Sequence, residues 1–246
     1  MHPMAMTLID HFAELRTRLF VSVSAWVVAS GLAFAFRFQL LDWLKAPLPP
    51  AMTLNYFSIL EPFVASMQIA AFAGLVLSSP VIVSQIWSFI APGLYREERR
   101  YAVPFILFTA LAFTLGVAFA YYVVLPFTLP ILLGFLGSEA QGLLSIGRYI
   151  QSLLTLMGVF GVMFEMPVLG YLLARIGLLR APIMLKYRRW SIVIGLALAA
   201  IITPTADPFN FALVAIPLVI LYEITIVVVR ISQRKERHGN EDPEPS

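Results

Sequence analysis

From Val64 to Tyr95 this chain carries no charged side chain, and from Ala102 to Ser138 it is uncharged again. Each run exceeds the roughly 20 apolar residues that a helix needs to cross a bilayer. Inside lipid every backbone N–H and C=O must be paired within the protein, which leaves only helices or closed barrels. The runs are continuous, not alternating segments of about ten residues, so they read as helices. Composition agrees: of 246 residues, 60% are hydrophobic and 13% charged, against about 25% charged in a soluble domain. The chain reads as an all-α polytopic membrane protein. It has no cysteine, which excludes a disulfide framework and a thiol nucleophile.

Between the two runs lies Gln85–Arg100, QIWSFIAPGLYREERR. Pro92-Gly93 breaks the helix, five charged residues follow from Arg96 to Arg100, and Pro104 opens the next run. This predicts a polar hairpin tip between two spans. Six spans are expected, at about 19–37, 63–90, 102–125, 149–174, 190–203 and 209–229. Thr7 and Asp10 read as a capping box, and Leu8, Phe12, Leu15 and Leu19 form an amphipathic lead-in to span 1. Asp10, Glu14 and the length of the following apolar run argue against a cleavable signal. Residues 38–62, with Trp43, Pro47, Pro49 and Pro50, read as an ordered loop near the interface. Span 3 is expected to end near Pro126 and Pro130, followed by a membrane-hugging connector broken by glycines. The turn Thr203–Pro208 divides the last apolar stretch into two short spans. The first, at about 14 residues, is roughly 21 Å long against a hydrocarbon core of about 30 Å. Residues 1–230 form one expected six-helix domain, and the charged, proline-containing 231–246 a disordered tail.

Six spans place both termini on one side. Of the 17 Lys and Arg residues, only Arg37, Lys45 and Arg148 fall on the opposite side. The positive-inside rule therefore predicts cytoplasmic termini and a cytoplasmic charged hairpin. The net charge of +3 is accounted for by orientation and is no nucleic-acid footprint. The three histidines lie outside the spans, and no H-E-x-x-H, G-x-S-x-G, G-x-G-x-x-G or Walker loop occurs. The inventory thus offers no catalytic set, cofactor or metal site.

The polar residues that remain are few. Glu14 reads as an i,i+4 partner of Arg18, and Glu98 as a favourable charge in the first turn of the next helix. Both are expected near the cytoplasmic interface, where two carboxylates could also face one groove. Glu165 lies deep in span 4, where an ionised carboxylate costs at least about 2.5–3.5 kcal/mol. It is either a neutral acid bonded to a neighbouring helix, or an intramembrane contact or proton site. Gln85 is a weaker polar candidate for the same face, its alternative being an interhelical hydrogen bond. Asp207 and Glu223 read as turn and interface residues, and Glu61 as a residue ordering the first outer loop.

HFAELRTRL (11–19), EPF (61–63), QIWSFIAPGLYREERR (85–100), FGVMFEMP (160–167) and TPTADPFNFALVAIPLVILYE (203–223) together resemble the TatC family. That family is the six-span receptor subunit of the twin-arginine protein translocase of the bacterial cytoplasmic membrane. The resemblance implies a concave helical fold and a non-enzymatic role. It implies that Glu14 and Glu98 receive the Arg-Arg pair of a signal peptide on a folded precursor. Arg16 lies beside them, and Phe89, Pro92, Leu94 and Tyr95 shape the wall. It further implies that Glu165, with Gln85, belongs to the face where partners meet. The region of Asp207 would lie near the docking surface for single-span TatA- and TatB-type subunits, in a lipid-embedded, self-associating complex driven by the proton gradient. Phe211 stands where relatives often carry a polar residue, so a polar partner contact there is not implied. The rival reading is a proton- or ion-coupled solute transporter using Glu165, against which stand the missing internal repeat and the lack of paired broken helices.

Overall fold

The computed structural model describes residues 8–49, 52–90, 102–134, 143–175, 177–202 and 208–239. The chain divides into two compact units. One comprises 1–111 with 141–154, the other 112–140 with 155–246.

In the first unit α1 (Leu8–Ala35) packs along α3 (Glu61–Ile90). The lead-in and span 1 are one continuous helix. Among its described side chains only Ala33 is buried, so most of α1 presents apolar surface outward, as a lipid-facing helix must. The two helices meet at Gly74, where a Cβ would lie 2.2 Å from Ser30 Oγ and 2.6 Å from its backbone nitrogen. Only glycine allows so close an approach. One turn away Trp26 Nε1 donates to the Ala71 carbonyl at 2.8 Å.

The segment expected as an interfacial loop contains a helix, α2 (Arg37–Lys45). Arg37 lies over the rings of Phe34 and Phe38, at 4.6 and 4.3 Å. Two-residue strands follow: β1 (Leu54–Asn55) pairs in parallel with β2 (Leu144–Ser145). Glu61 locks this arrangement. Its Oε2 accepts from Phe57 N–H at 2.8 Å, and its Oε1 accepts from Gly147 N–H at 2.8 Å and from Ser145 Oγ. The loop-ordering reading of Glu61 is therefore seen, and two of its partners come from residues 145–147. Tyr149 adds a hydrogen bond to the Leu44 carbonyl at 2.7 Å.

Span 3, expected to end near Pro126 and Pro130, runs as Val103–Ile131 and begins with helix α4 (Ala102–Phe119). It passes through a π-helical turn, Ala120–Val124, into α5 (Leu125–Gly134). Leu125 N–H bonds back to the Ala120 carbonyl, so the ladder shifts register just before a proline that can donate nothing. The break is absorbed, and the helix continues.

Helix α6 (Ile146–Phe164), which begins in the first unit and ends in the second, and α7 (Met166–Arg175) of the second unit replace the single expected span 4, separated at Glu165. Helix α8 (Ala181–Lys186) leads into α9 (Arg188–Ile202) and α10 (Pro208–Gly239). A core of Ala174, Ala181, Met184, Tyr222, Ile226 and Val229 joins α7, α8 and α10. Helix α10 runs ten residues past the expected span end and through 231–239, where a disordered tail was expected. Tertiary contact explains the difference. Ser232 is buried, and Gln233 bonds the Leu179 carbonyl and Ala181 N–H. The rest of the expected tail, 240–246, lies outside the described residues.

Among the described residues five helical runs are long and apolar enough to cross a membrane: Phe12–Ala35, Glu61–Phe89, Val103–Ile131, Ile146–Arg175 and Phe211–Gln233. Helix α9, at 15 residues, lies where a short fifth span was expected and is not among these five.

Candidate functional site

One polar cluster forms where α1 begins and α3 ends. Arg18 Nη2 donates to Glu14 Oε1 at 3.3 Å, and Arg18 Nη1 to Gln85 Oε1 at 3.2 Å. The helical pairing of Glu14 with Arg18 thus exists, and it is only part of the arrangement. The bonds are longer than the roughly 2.7–2.9 Å of a tight charge-assisted contact, and the Glu14 and Arg18 side chains are 20% and 36% exposed. Such a cluster can exchange partners. Arg16 is exposed beside it and Phe89 half-buried. Trp87, which sequence reasoning did not single out, is buried and stacks on Phe105 with ring centroids 4.7 Å apart. It ties the end of α3 to the start of α4, a role that an aromatic at a span end could have signalled. Glu98, Pro92, Leu94 and Tyr95 lie outside the described residues.

The amide oxygen of Gln85 accepts from Arg18 and its nitrogen donates to Ser84 Oγ at 3.3 Å. Its interhelical hydrogen bond is therefore the one observed.

Glu165 occupies the break between α6 and α7. Its N–H bonds to the Val162 carbonyl at 3.1 Å, three residues back, and its carbonyl accepts from Leu169 at 2.8 Å. Pro167 is the local cause, since its ring cannot be accommodated against the carbonyl four residues before it. The side chain is half-buried, and its buried Oε2 has no hydrogen-bond partner among the described residues. Phe119 packs on Phe160 and Phe164 in the same unit, at 5.6 and 5.4 Å, so the surroundings are aromatic and apolar.

Glu223 proved more engaged than expected. Its Oε1 accepts from Arg188 Nε at 2.7 Å, joining the first residue of α9 to α10. Asp207 lies outside the described residues.

Long apolar helices, outward-facing hydrophobic surface and a few paired polar groups define a multi-pass α-helical membrane protein. A family model described as Sec-independent protein translocase protein (TatC) matches residues 10–217. The chain belongs to the TatC family, and as such is a component of a protein translocase and not an enzyme. It is 40% identical over 245 residues to the Sec-independent protein translocase protein TatC of Deinococcus radiodurans, covering 97% of this chain and 91% of that one. To the Aquifex aeolicus protein of the same name it is 39% identical over 237 residues, covering 94% and 98%. A crystal structure described as the twin arginine translocase receptor TatC superposes with a TM-score of 0.80 at 38% identity. That match covers 91% of this chain and 99% of the other.

Proposed function

We propose that this chain is the receptor that holds the Arg-Arg pair of a signal peptide, with Glu14 as one of its carboxylates. The observation that carries the reading is the guanidinium already lodged there: Arg18 is shared between Glu14 and Gln85 through loose bonds of 3.2–3.3 Å. A site that binds one guanidinium in this way has the chemistry for another. The planar fork of arginine matches a carboxylate through two parallel hydrogen bonds, which the ammonium of lysine cannot reproduce. Glu98 is the second carboxylate in this reading, and Arg16, Phe89, Pro92, Leu94 and Tyr95 its surroundings.

Six spans with cytoplasmic termini complete the reading, α9 being the fifth. At 15 residues it is about 22 Å long. That falls short of a core of about 30 Å, so the bilayer thins here, and single-span TatA- and TatB-type subunits dock beside it. Glu165 supplies a hydrogen-bonding contact to such a partner, and the proton gradient drives assembly.

The test is a binding titration of purified protein with a twin-arginine signal peptide. Each charge-assisted bond contributes about 1.5–3 kcal/mol, so Glu14→Gln and Glu98→Gln each weaken binding by about 10- to 100-fold. A Lys-Lys peptide binds the unaltered protein comparably weakly. Unchanged affinity in both variants would return these residues to ordinary helix-surface pairing.

A further inference from the structure

The loop between α7 and α9 carries a concentration of positive charge that the signal-peptide reading does not use. Arg175, Arg180, Lys186, Arg188 and Arg189 fall within it, and no Asp or Glu occurs between Glu165 and Asp207. Among the described residues the only acidic partner is Glu223, engaged by Arg188. Arg175 bonds to Tyr171 Oη at 3.2 Å. Arg180, Lys186 and Arg189 are exposed.

These cations stand on a rigid platform. Helix α7 ends in a turn where Gly177 adopts a φ of 74°, a conformation that glycine reaches without steric cost. Gly177 N–H bonds the Ala174 carbonyl at 3.1 Å and Leu178 N–H the Leu173 carbonyl at 2.9 Å. Gln233 clamps the start of α8, and Tyr222 Oη donates to the Met184 carbonyl at 2.9 Å. Ala181 and Met184 face inward in the core. The outward side of the same platform shows Leu178, Ile183, Leu185, Tyr187 and Trp190, all exposed, Trp190 to 67%.

Fixed cations interleaved with outward aliphatic and indole groups, at the level where one span ends and the next begins, suit one environment. The apolar groups enter the acyl boundary while the cations meet headgroups. We propose that the α7–α9 loop, with Arg180, Lys186 and Arg189, is a binding site for anionic phospholipid headgroups. A zwitterionic headgroup offers no net charge to these residues, so the site discriminates between lipid classes. The proposal does not depend on the signal-peptide reading.

Trp190 is the natural reporter. Full-length protein bearing Trp26→Phe, Trp43→Phe and Trp87→Phe retains only Trp190 of the four tryptophans. It is placed in vesicles of brominated phosphatidylglycerol mixed with phosphatidylcholine, and then in the reverse mixture. Brominated phosphatidylglycerol quenches Trp190 as if enriched at least about fivefold at the site, the factor expected per well-placed basic residue. The triple variant Arg180→Gln, Lys186→Gln, Arg189→Gln brings the two lipids to equal quenching. Lysine replacements of both arginines keep the preference, and Arg148→Gln leaves it unchanged. Where the tryptophan replacements impair folding, spin-labelled versions of the two lipids report the immobilised fraction on the otherwise unaltered protein. Equal association of the two lipids with the unaltered loop, or a preference that survives the triple glutamine variant, overturns the proposal.

Discussion

At the scale of single residues, Glu165 is where an unmet demand is plainest. Its Oε2 is buried without a partner among the described residues, and an unsatisfied buried polar group costs about 1–3 kcal/mol. A partner helix that offers a donor removes that cost, which is how a lone carboxyl in a span becomes a docking contact. On this reading Glu165→Gln, which keeps a hydrogen-bonding side chain, retains much of the transport. Glu165→Ala loses it while signal-peptide binding stays intact. Transport assays on the two variants decide: a Gln variant as inactive as Ala points to proton relay, and full activity of the Ala variant removes both roles. The residue was legible in the sequence because a carboxyl amid apolar neighbours is anomalous in any span. The partner of Gln85 was not legible, because an amide in an apolar run looks the same whichever helix it faces.

At the scale of elements, small contacts decide large arrangements. Alanine is favoured over glycine by about 1 kcal/mol in a helix interior, so Gly74→Ala would stabilise an isolated α3. In this protein the new methyl meets the Ser30 backbone, and overpacking of that kind costs about 1–3 kcal/mol. The expected result is a lower unfolding midpoint in detergent, whereas a midpoint that rises shows that α1 yields without cost. Helices α8, α9 and α10 offer a second comparison. The Arg188–Glu223 pair is 52% and 37% exposed, so screening holds its contribution below about 1 kcal/mol. The buried bond from Tyr222 to Met184 is worth about 1 kcal/mol and leaves an unpaired carbonyl when lost. Tyr222→Phe therefore lowers the unfolding midpoint more than Glu223→Gln does. A larger effect from Glu223→Gln would show the ion pair to be shielded from solvent in the membrane.

At the scale of the whole molecule, orientation is the property with most consequence. The absence of native cysteine makes single-cysteine labelling unambiguous. Ile59, 94% exposed, and Arg230, exposed on α10, are suitable positions, whereas Ser232 is buried. Impermeant reagent added outside intact cells is expected to label Ile59→Cys and to reach Arg230→Cys only after the membrane is opened. The opposite pattern would invert the topology and move Glu14 to the wrong face for a cytoplasmic signal peptide.

By itself the sequence determined the membrane class, the positions of the long helices and the family. These depend on segment-level quantities: the apolar length needed to cross a bilayer and the need of each segment to pair its own backbone. The start of α3, the extent of the apolar run that α6 and α7 share and the shortness of α9 were readable for that reason. Tertiary structure alone decided which polar groups meet. Arg18 and Gln85 are 67 positions apart, Glu61 and Gly147 are 86 apart, and Arg188 and Glu223 are 35 apart. No periodicity encodes such distances. It also decided how far helices run: the π turn carries α4 past Pro126, and Gln233 holds α10 beyond Arg230. Local propensity marks where a helix can stop, and packing against other elements sets where it does.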